Sequence, residues 1–281
     1  LGDKKIIVLE PRRIAARGAA DYMARETGGK LGGLIGLRAR LASRVSAATR
    51  VEVVTEGVFT RMILDDPELS GIGAVLFDEY HERSLDADLG LALALDARQA
   101  LRPDLRLLVM SATLDGARVA SLLGGCPVIS SEGRAFPIET RYLGRSGMRI
   151  EDDMADAVMR ALRDEIGSVL AFLPGQGEIA RTAERLASRV RDPSVDIVPL
   201  YGALDMVAQD RAVSPAPEGR RKVVLATSIA ETSITIEGVR VVIDSGLARV
   251  PRYEPDVGVS RLETVRVSRA SADQRRGRAG R

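Results

Sequence analysis

The sequence predicts an α/β protein of two domains, each built on a mostly parallel sheet with helices on its faces. Three observations carry this reading. Short runs that are apolar throughout recur along the chain, the pattern of strands covered on both sides. Helical-looking stretches separate them, giving a strand–helix rhythm. The length, 281 residues, exceeds the usual size of one such domain.

Taken in order, the first strand is Ile6–Leu9, which runs into "EPRRIAA". The second is Val51–Val54, ending on "TEG", and the third is Ala74–Phe77, ending on "DEYH". Leu105–Met110 supplies a fourth and leads into "SAT". Between Leu123 and Arg149 the rhythm breaks into a stretch rich in Gly, Pro and Ser, "GGCPVISSEGRAFPIETRYLGRSGMR". A domain boundary near residue 140 follows, giving domains 1–140 and 141–281. The second half repeats the rhythm with Val169–Leu173, Ile197–Leu200, Val223–Ala226 and Val239–Ile243. Arg249–Val267, "RVPRYEPDVGVSRLETVRV", has two extended arms around a turn-rich centre, which predicts a hairpin.

Composition narrows the class. With 45% hydrophobic and 28% charged residues, this is ordinary globular chemistry. Lys plus Arg (41) nearly balance Asp plus Glu (39), so net charge does not announce a polyanion partner. The basic residues are bunched, however, at Arg12–Arg13, Arg220–Lys222 and the final turn of sequence. A single cysteine, Cys126, excludes an internal disulfide and any multi-cysteine metal site. No apolar stretch has the length of a membrane span and no signal peptide is visible, so the expectation is a cytoplasmic protein with no membrane partner. Both ends look cut, and the chain reads as a fragment.

In parallel sheets, ligands sit at the carboxyl ends of the strands. Asp78, Glu79 and His81, the sole histidine, lie at such an end. Two adjacent acids there suit a site in which Asp78 holds Mg2+ through water and Glu79 orients or deprotonates an attacking water. The plainer alternative is a charged turn that ends a strand.

Order settles more than any one motif. "LEPRRIAA", "VVTEG", "FDEYHERS" and "VMSAT" follow successive strands of the first half, and "FLPGQGEI", "LATSIAETSITIEGVRVVIDSG" and "QRRGRAGR" follow in the second. This set resembles superfamily 2 helicases of the DEAH/RHA class across essentially the whole chain, and most of all the bacterial HrpB-type members. The resemblance implies two tandem RecA-like domains, with ATP and Mg2+ as cofactors and nucleic acid, single-stranded RNA above all, as partner. It implies that Asp78 and Glu79 are the Mg2+–water carboxylate and the base, and that His81 links the first domain to the motifs facing it. Ser111 and Thr113 match the coupling motif, with a helix-capping hydroxyl as their other possible duty. Gln274 matches the water-positioning glutamine, and Arg278 and Arg281 match arginine fingers. Arg12, Arg13 and Thr55 in the first domain, and Thr227 in the second, fall on motifs that contact the nucleic-acid backbone. For Arg12 and Arg13 simple surface charge is the alternative, and for Thr55 it is helix capping. The hairpin matches one that helps part strands in related helicases, or is a structural hairpin with no such contact. Because the acids and the fingers lie in different halves, the resemblance implies that nucleotide closes the domains on one another.

Departures matter as well. No G-x-x-x-x-G-K-[ST] occurs in the sequence. "TGGKLGG" has Leu31 where a hydroxyl is required and Ala24 where the first Gly should be. The phosphate loop is therefore expected upstream of Leu1, and this chain by itself is expected not to hydrolyse ATP. Tyr80 replaces the alanine of DEAH, and Ser228 replaces an asparagine that touches nucleic acid. Tyr22 and Val213 align with an adenine-sandwiching pair, and valine cannot stack, so base selectivity should be loose. A remodelling NTPase that does not unwind, or a passive nucleic-acid-binding module, are the competing readings.

Overall fold

The computed structural model describes residues 1–40, 42–112, 116–131, 136–144, 146–231, 234 and 236–280. The chain divides into two compact units, Leu1–Glu132 and Gly133–Arg281. The division falls inside the Gly-, Pro- and Ser-rich stretch, somewhat before residue 140.

The first unit runs β1 (Lys5–Glu10), α1 (Arg13–Glu26), β2 (Ile35–Ala39), β3 (Ala42–Arg44), β4 (Val51–Thr55), α2 (Glu56–Asp65) and β5 (Ile72–Phe77). A single turn of 3-10 helix at Tyr80–Glu82 follows, then α3 (Leu85–Ala100), β6 (Arg106–Val109) and α4 (Gly116–Leu122). The strands form one sheet in the order β3-β2-β4-β1-β5-β6. All pairs are parallel except β2 with β3. Small residues on α1 (Ala16, Ala20, Ala24) let that helix lie close over Ile35, Leu37 and Val53 on one face. On the other face α2 and α3 supply Phe59, Ile63, Leu91 and Ala94 against Ile7, Leu9 and Phe77. Phe59 and Phe77 meet edge to face at 5.7 Å and are fully buried. Each such side chain contributes about 2–3 kcal/mol by leaving water. This core fixes β1 and β5 side by side, with Val8 opposite Leu76 and Leu9 opposite Phe77. Their carboxyl ends therefore emerge together.

The second unit begins with α5 (Ile150–Asp164), β7 (Ser168–Phe172), α6 (Gln176–Arg189), β8 (Val195–Leu200), α7 (Met206–Val213) and β9 (Arg221–Ala226). After a 3-10 turn at Ser228–Ala230 come β10 (Val239–Asp244), β11 (Leu247–Glu254), β12 (Val259–Arg266) and α8 (Arg269–Gly277). A four-stranded sheet has the order β10-β7-β9-β8, every pair parallel. Every residue of β7 is buried, as a central strand covered on both faces requires. Met154, Ala155 and Val158 of α5 and Ile179 and Leu186 of α6 pack over it. Along their outer sides α5 and α6 are joined by ion pairs one helical turn apart: Arg181 with Glu151 at 2.5 Å, Arg185 with Asp152, and Arg189 with Asp156 at 2.7 Å. β11 and β12 stand apart as a two-stranded antiparallel ribbon, with Arg249 opposite Thr264 and Pro251 opposite Leu262.

Each strand read from the sequence has its counterpart, and the two arms around residues 255–258 form the hairpin. β2 and β3 are additions. Their segment alternates Gly, Arg and apolar residues, so it does not read as a buried run. Gly36 is there because a Cβ would lie 2.7 Å from the Thr49 methyl, and Arg38 reaches Glu52 of β4 at 2.7 Å.

Candidate functional site

Chemistry-bearing residues gather at the carboxyl ends of β1, β4, β5 and β6. β5 ends at Phe77, and the Asp78 N–H donates to the Leu9 carbonyl at 3.1 Å, tying the acidic turn to β1. The Asp78 carboxylate accepts the Glu79 N–H at 2.7 Å. This bend forces Glu79 into the left-handed region, with φ of 48°. Arg83 closes the following 3-10 turn in the same region, with φ of 49°. Non-glycine residues rarely sit there, and the strain is tolerated only where neighbours hold it. Here the Tyr80 N–H donates to Met110 at the end of β6, and the Tyr80 ring is buried against Phe77. A bulky ring in place of the family's alanine thus anchors the strained turn in the core.

His81 lies beside Glu79. Its Nδ1 accepts the Ala112 N–H at 3.4 Å, which leaves Nε2 to carry the proton, and Nε2 lies 3.3 Å from the Glu79 carboxylate. That approach is off hydrogen-bond geometry. The histidine therefore bridges Glu79 to the segment after β6 within the first unit. Ser111 lies on that segment and is exposed. Thr113 lies outside the described residues.

Glu10, the last residue of β1, belongs to the same cluster and was not read from the sequence. It is 5% exposed and interacts with Asp78. Burial, and then the charges of Asp78 and Glu79, push its carboxyl up to about 8. Glu82 is a second addition. It accepts from Arg12 Nη2 at 3.1 Å and from Nε at 3.4 Å. Arg12 is therefore more than surface charge: it joins the start of α1 to the acidic turn. Arg13 is exposed. Thr55 occupies the N-cap position of α2 with no side-chain capping bond, so capping does not account for its hydroxyl. Ser84, by contrast, caps α3 through Ala87 and also donates to Glu56 at 2.5 Å, a carboxyl that burial pushes up.

The second unit presents its residues at the ends of β7, β9 and β10. Thr227 follows β9, and its N–H donates to Leu200 at 3.1 Å. Gln274 is half-buried on α8. Arg278 is buried, with Nε donating to the Glu231 carbonyl at 2.8 Å and Nη1 to that of Ile234 at 3.0 Å. Arg281 lies outside the described residues. Arg275, also unread from the sequence, is the largest fully buried side chain in the protein as described. Its guanidinium sits over the Phe172 ring at 4.8 Å and pairs with Glu231 at 2.9 Å and Asp244 at 2.8 Å. The hairpin is seated on α6 by Arg249, which pairs with Glu178 at 3.1 Å. A Cβ on Gly175 would fall 2.5 Å from that guanidinium, so any other residue there would displace the Arg249 side chain. Tyr22 is exposed on α1, and Val213 ends α7 half-buried. Among the described residues, no group of three or more metal-ligating side chains forms a metal-binding set, and no helix is long and apolar enough to cross a membrane.

Comparison with known proteins agrees with the motifs. The profile of the family described as helicase conserved C-terminal domain matches residues 153–281. The ATP-dependent RNA helicase HrpB of Escherichia coli (strain K12) is 56% identical over 278 residues, covering 99% of this chain and 34% of that protein. The probable ATP-dependent RNA helicase DHR2 of Saccharomyces cerevisiae is 39% identical over 288 residues, 98% of this chain and 39% of its own length. A crystal structure of the Escherichia coli DEAH/RHA helicase HrpB superposes with a TM-score of 0.92, over 99% of this chain and 36% of that one. The chain thus spans about a third of the length of these relatives. In its motif order, its parallel-sheet units of RecA-like fold and its identity to these proteins, the chain is similar over nearly its whole length to part of the DEAH/RHA helicases.

Proposed function

We propose that this protein is an ATP-dependent RNA helicase or translocase that couples ATP hydrolysis to movement along a single strand. The observation that carries the reading is the carboxylate cluster at the ends of β1 and β5: Glu10, Asp78 and Glu79 share one corner, and Glu79 is held there in a strained conformation. A fold gains no stability from setting two carboxylates beside a buried carboxyl that must keep its proton, so the cluster is explained by what it binds. Asp78 alone would hold a hydrated Mg2+ through water, and the ion when bound would neutralise charge on a phosphate. Glu79 then accepts the proton of the attacking water, with the His81 imidazole 3.3 Å from its carboxylate. Gln274 orients that water, and Arg278 and Arg281 meet charge developing on the γ-phosphate. Ser111 and Thr113 relay the state of the acidic turn. Arg12, Arg13, Thr55 and Thr227 grip the RNA backbone, which makes affinity salt-dependent and largely sequence-independent. A cytoplasmic location goes with this reading.

The test is Glu79→Gln in the full-length protein. RNA-stimulated kcat should fall by about 100-fold or more, while nucleotide affinity stays within about threefold. Normal turnover by this variant would leave the acidic pair as a charged turn and sink the assignment.

A further inference from the structure

We infer that Arg275 is a positioning residue that locks α8, Glu231 and the base of the β11–β12 hairpin into one body, so that Arg278 and the hairpin move together. The inference rests on the helicase reading above and adds to it residues with no assigned role.

The geometry is a hub. Arg275 Nε donates to Glu231 Oε2 at 2.9 Å, and Nη1 donates to Asp244 Oδ1 at 2.8 Å and to the Leu247 carbonyl at 3.2 Å. Glu231 is itself doubly engaged with α8, accepting from Ser271 Oγ at 2.5 Å through its other oxygen. Its backbone carbonyl accepts from Arg278. Asp244 ends β10, and its Oδ1 also accepts the Gly246 N–H at 2.9 Å in the turn that opens β11. The Gly246 carbonyl accepts from Val267 at 3.0 Å, which closes the ribbon at its base. One guanidinium on the helix after the hairpin therefore touches the strand before the hairpin, the first residue of the hairpin and the residue whose carbonyl holds Arg278.

The chemistry of the site favours this role over a spare ion pair. Arg275 is 1% exposed and stacks on Phe172, so its donors have no water to fall back on. A planar fork with fixed donor directions transmits orientation, whereas an ammonium in the same place holds one acceptor at a time. Any tilt of α8 that carries Arg278 must drag Asp244 and Leu247 with it. The hairpin has a second attachment, Arg249 to Glu178 on α6, which makes the base of the ribbon a fulcrum and its exposed tip the moving end.

The experiment uses the full-length protein and reads three quantities on one preparation: RNA-stimulated ATP turnover, duplex strands separated per ATP, and single-stranded RNA affinity. Wild-type protein comes first; if it shows no RNA-stimulated turnover, the helicase reading fails before the hub is tested. Arg275→Lys keeps the charge and loses the fork. Provided circular dichroism shows a folded protein, kcat should fall about tenfold with the KM for ATP within about threefold, and strands separated per ATP should fall as well. RNA affinity should stay within about threefold. Should Arg275→Lys fail to fold, Glu231→Gln replaces it: the amide still accepts from Arg275, and the same two losses are expected at about fivefold. Unchanged kcat in a folded variant, or unchanged strands separated per ATP, overturns the proposal and returns Arg275 to a core ion pair.

Discussion

The pair Arg12–Glu82 permits a prediction whose sign is not obvious. Arg12 lies on a motif that should grip RNA, yet its guanidinium is turned to Glu82, with Nη2 at 3.1 Å. At an effective dielectric near 20, two charges at that distance attract by about 5 kcal/mol before costs. The side chains remain 28% and 15% exposed, so desolvation, ordering and screening remove most of that and leave about 1 kcal/mol. A double-mutant cycle of Arg12→Ala and Glu82→Gln isolates the coupling. The assay is urea unfolding of the 281-residue chain followed by far-ultraviolet circular dichroism, fitted with two transitions because the two units can unfold separately. Coupling near 1 kcal/mol is expected at low salt, shrinking as ionic strength rises. The functional half runs opposite to intuition about removing an interaction. If Arg12 must leave Glu82 to reach a phosphate, Glu82→Gln should tighten single-stranded RNA binding by up to about fivefold. Arg12→Ala should weaken binding and reduce the salt slope by about one. Coupling below about 0.3 kcal/mol, together with unchanged RNA affinity in Glu82→Gln, would refute the reasoning.

Two further predictions concern the carboxylate corner. A polypeptide of these 281 residues contains no phosphate-binding loop, so it should show no Mg2+-dependent ATP turnover above background in a coupled phosphate-release assay; robust turnover would mean that other residues cradle the phosphates. The second concerns Glu10, which is raised to about 8 in the fold against an ordinary value of 4.5, so between those limits the folded state holds a proton that the unfolded chain has lost. The contribution of Glu10 to the stability of the first unit is then fullest below about pH 4.5 and declines as pH rises toward 8, by a few kcal/mol in total. In metal-free buffer with chelator, Glu10→Gln should flatten that decline and stabilise the unit more at pH 8 than at pH 5. An equal effect at both values would show that Glu10 ionises normally.

Much of this was legible in the sequence, for a physical reason. Strands buried on both faces are written as uninterrupted apolar runs, so β1, β4, β5, β7 and β9 announce themselves. β2 does not, although it is largely buried between β3 and β4, because Gly36 and Arg38 interrupt its apolar run, and Gly36 answers to packing against Thr49 and not to strand propensity; β3 is a short, exposed edge. Candidate residues could be placed where a motif sets them on a strand end, as with Asp78, Glu79 and Thr227. Glu82 and Arg12 are 70 residues apart, and Arg275 and Glu231 are 44 apart. No local pattern marks such partners, since the fold alone brings them together. Glu10 was hidden differently: a terminal carboxylate on an apolar strand reads as solvent-facing until β5 is laid against it.

The left-handed turn at Glu79 and Arg83 bears on how this chain can be engineered. An L residue with a side chain costs about 1 kcal/mol or more in that region, and glycine or asparagine relieves most of it. A redesign scored on folding energy alone would therefore write glycine at Glu79 and count the exchange as an improvement. It would also remove the proposed base. The turn marks a place where thermostability and activity pull on the same residue in opposite directions, and stabilising libraries should hold residues 78–83 fixed while they vary the rest.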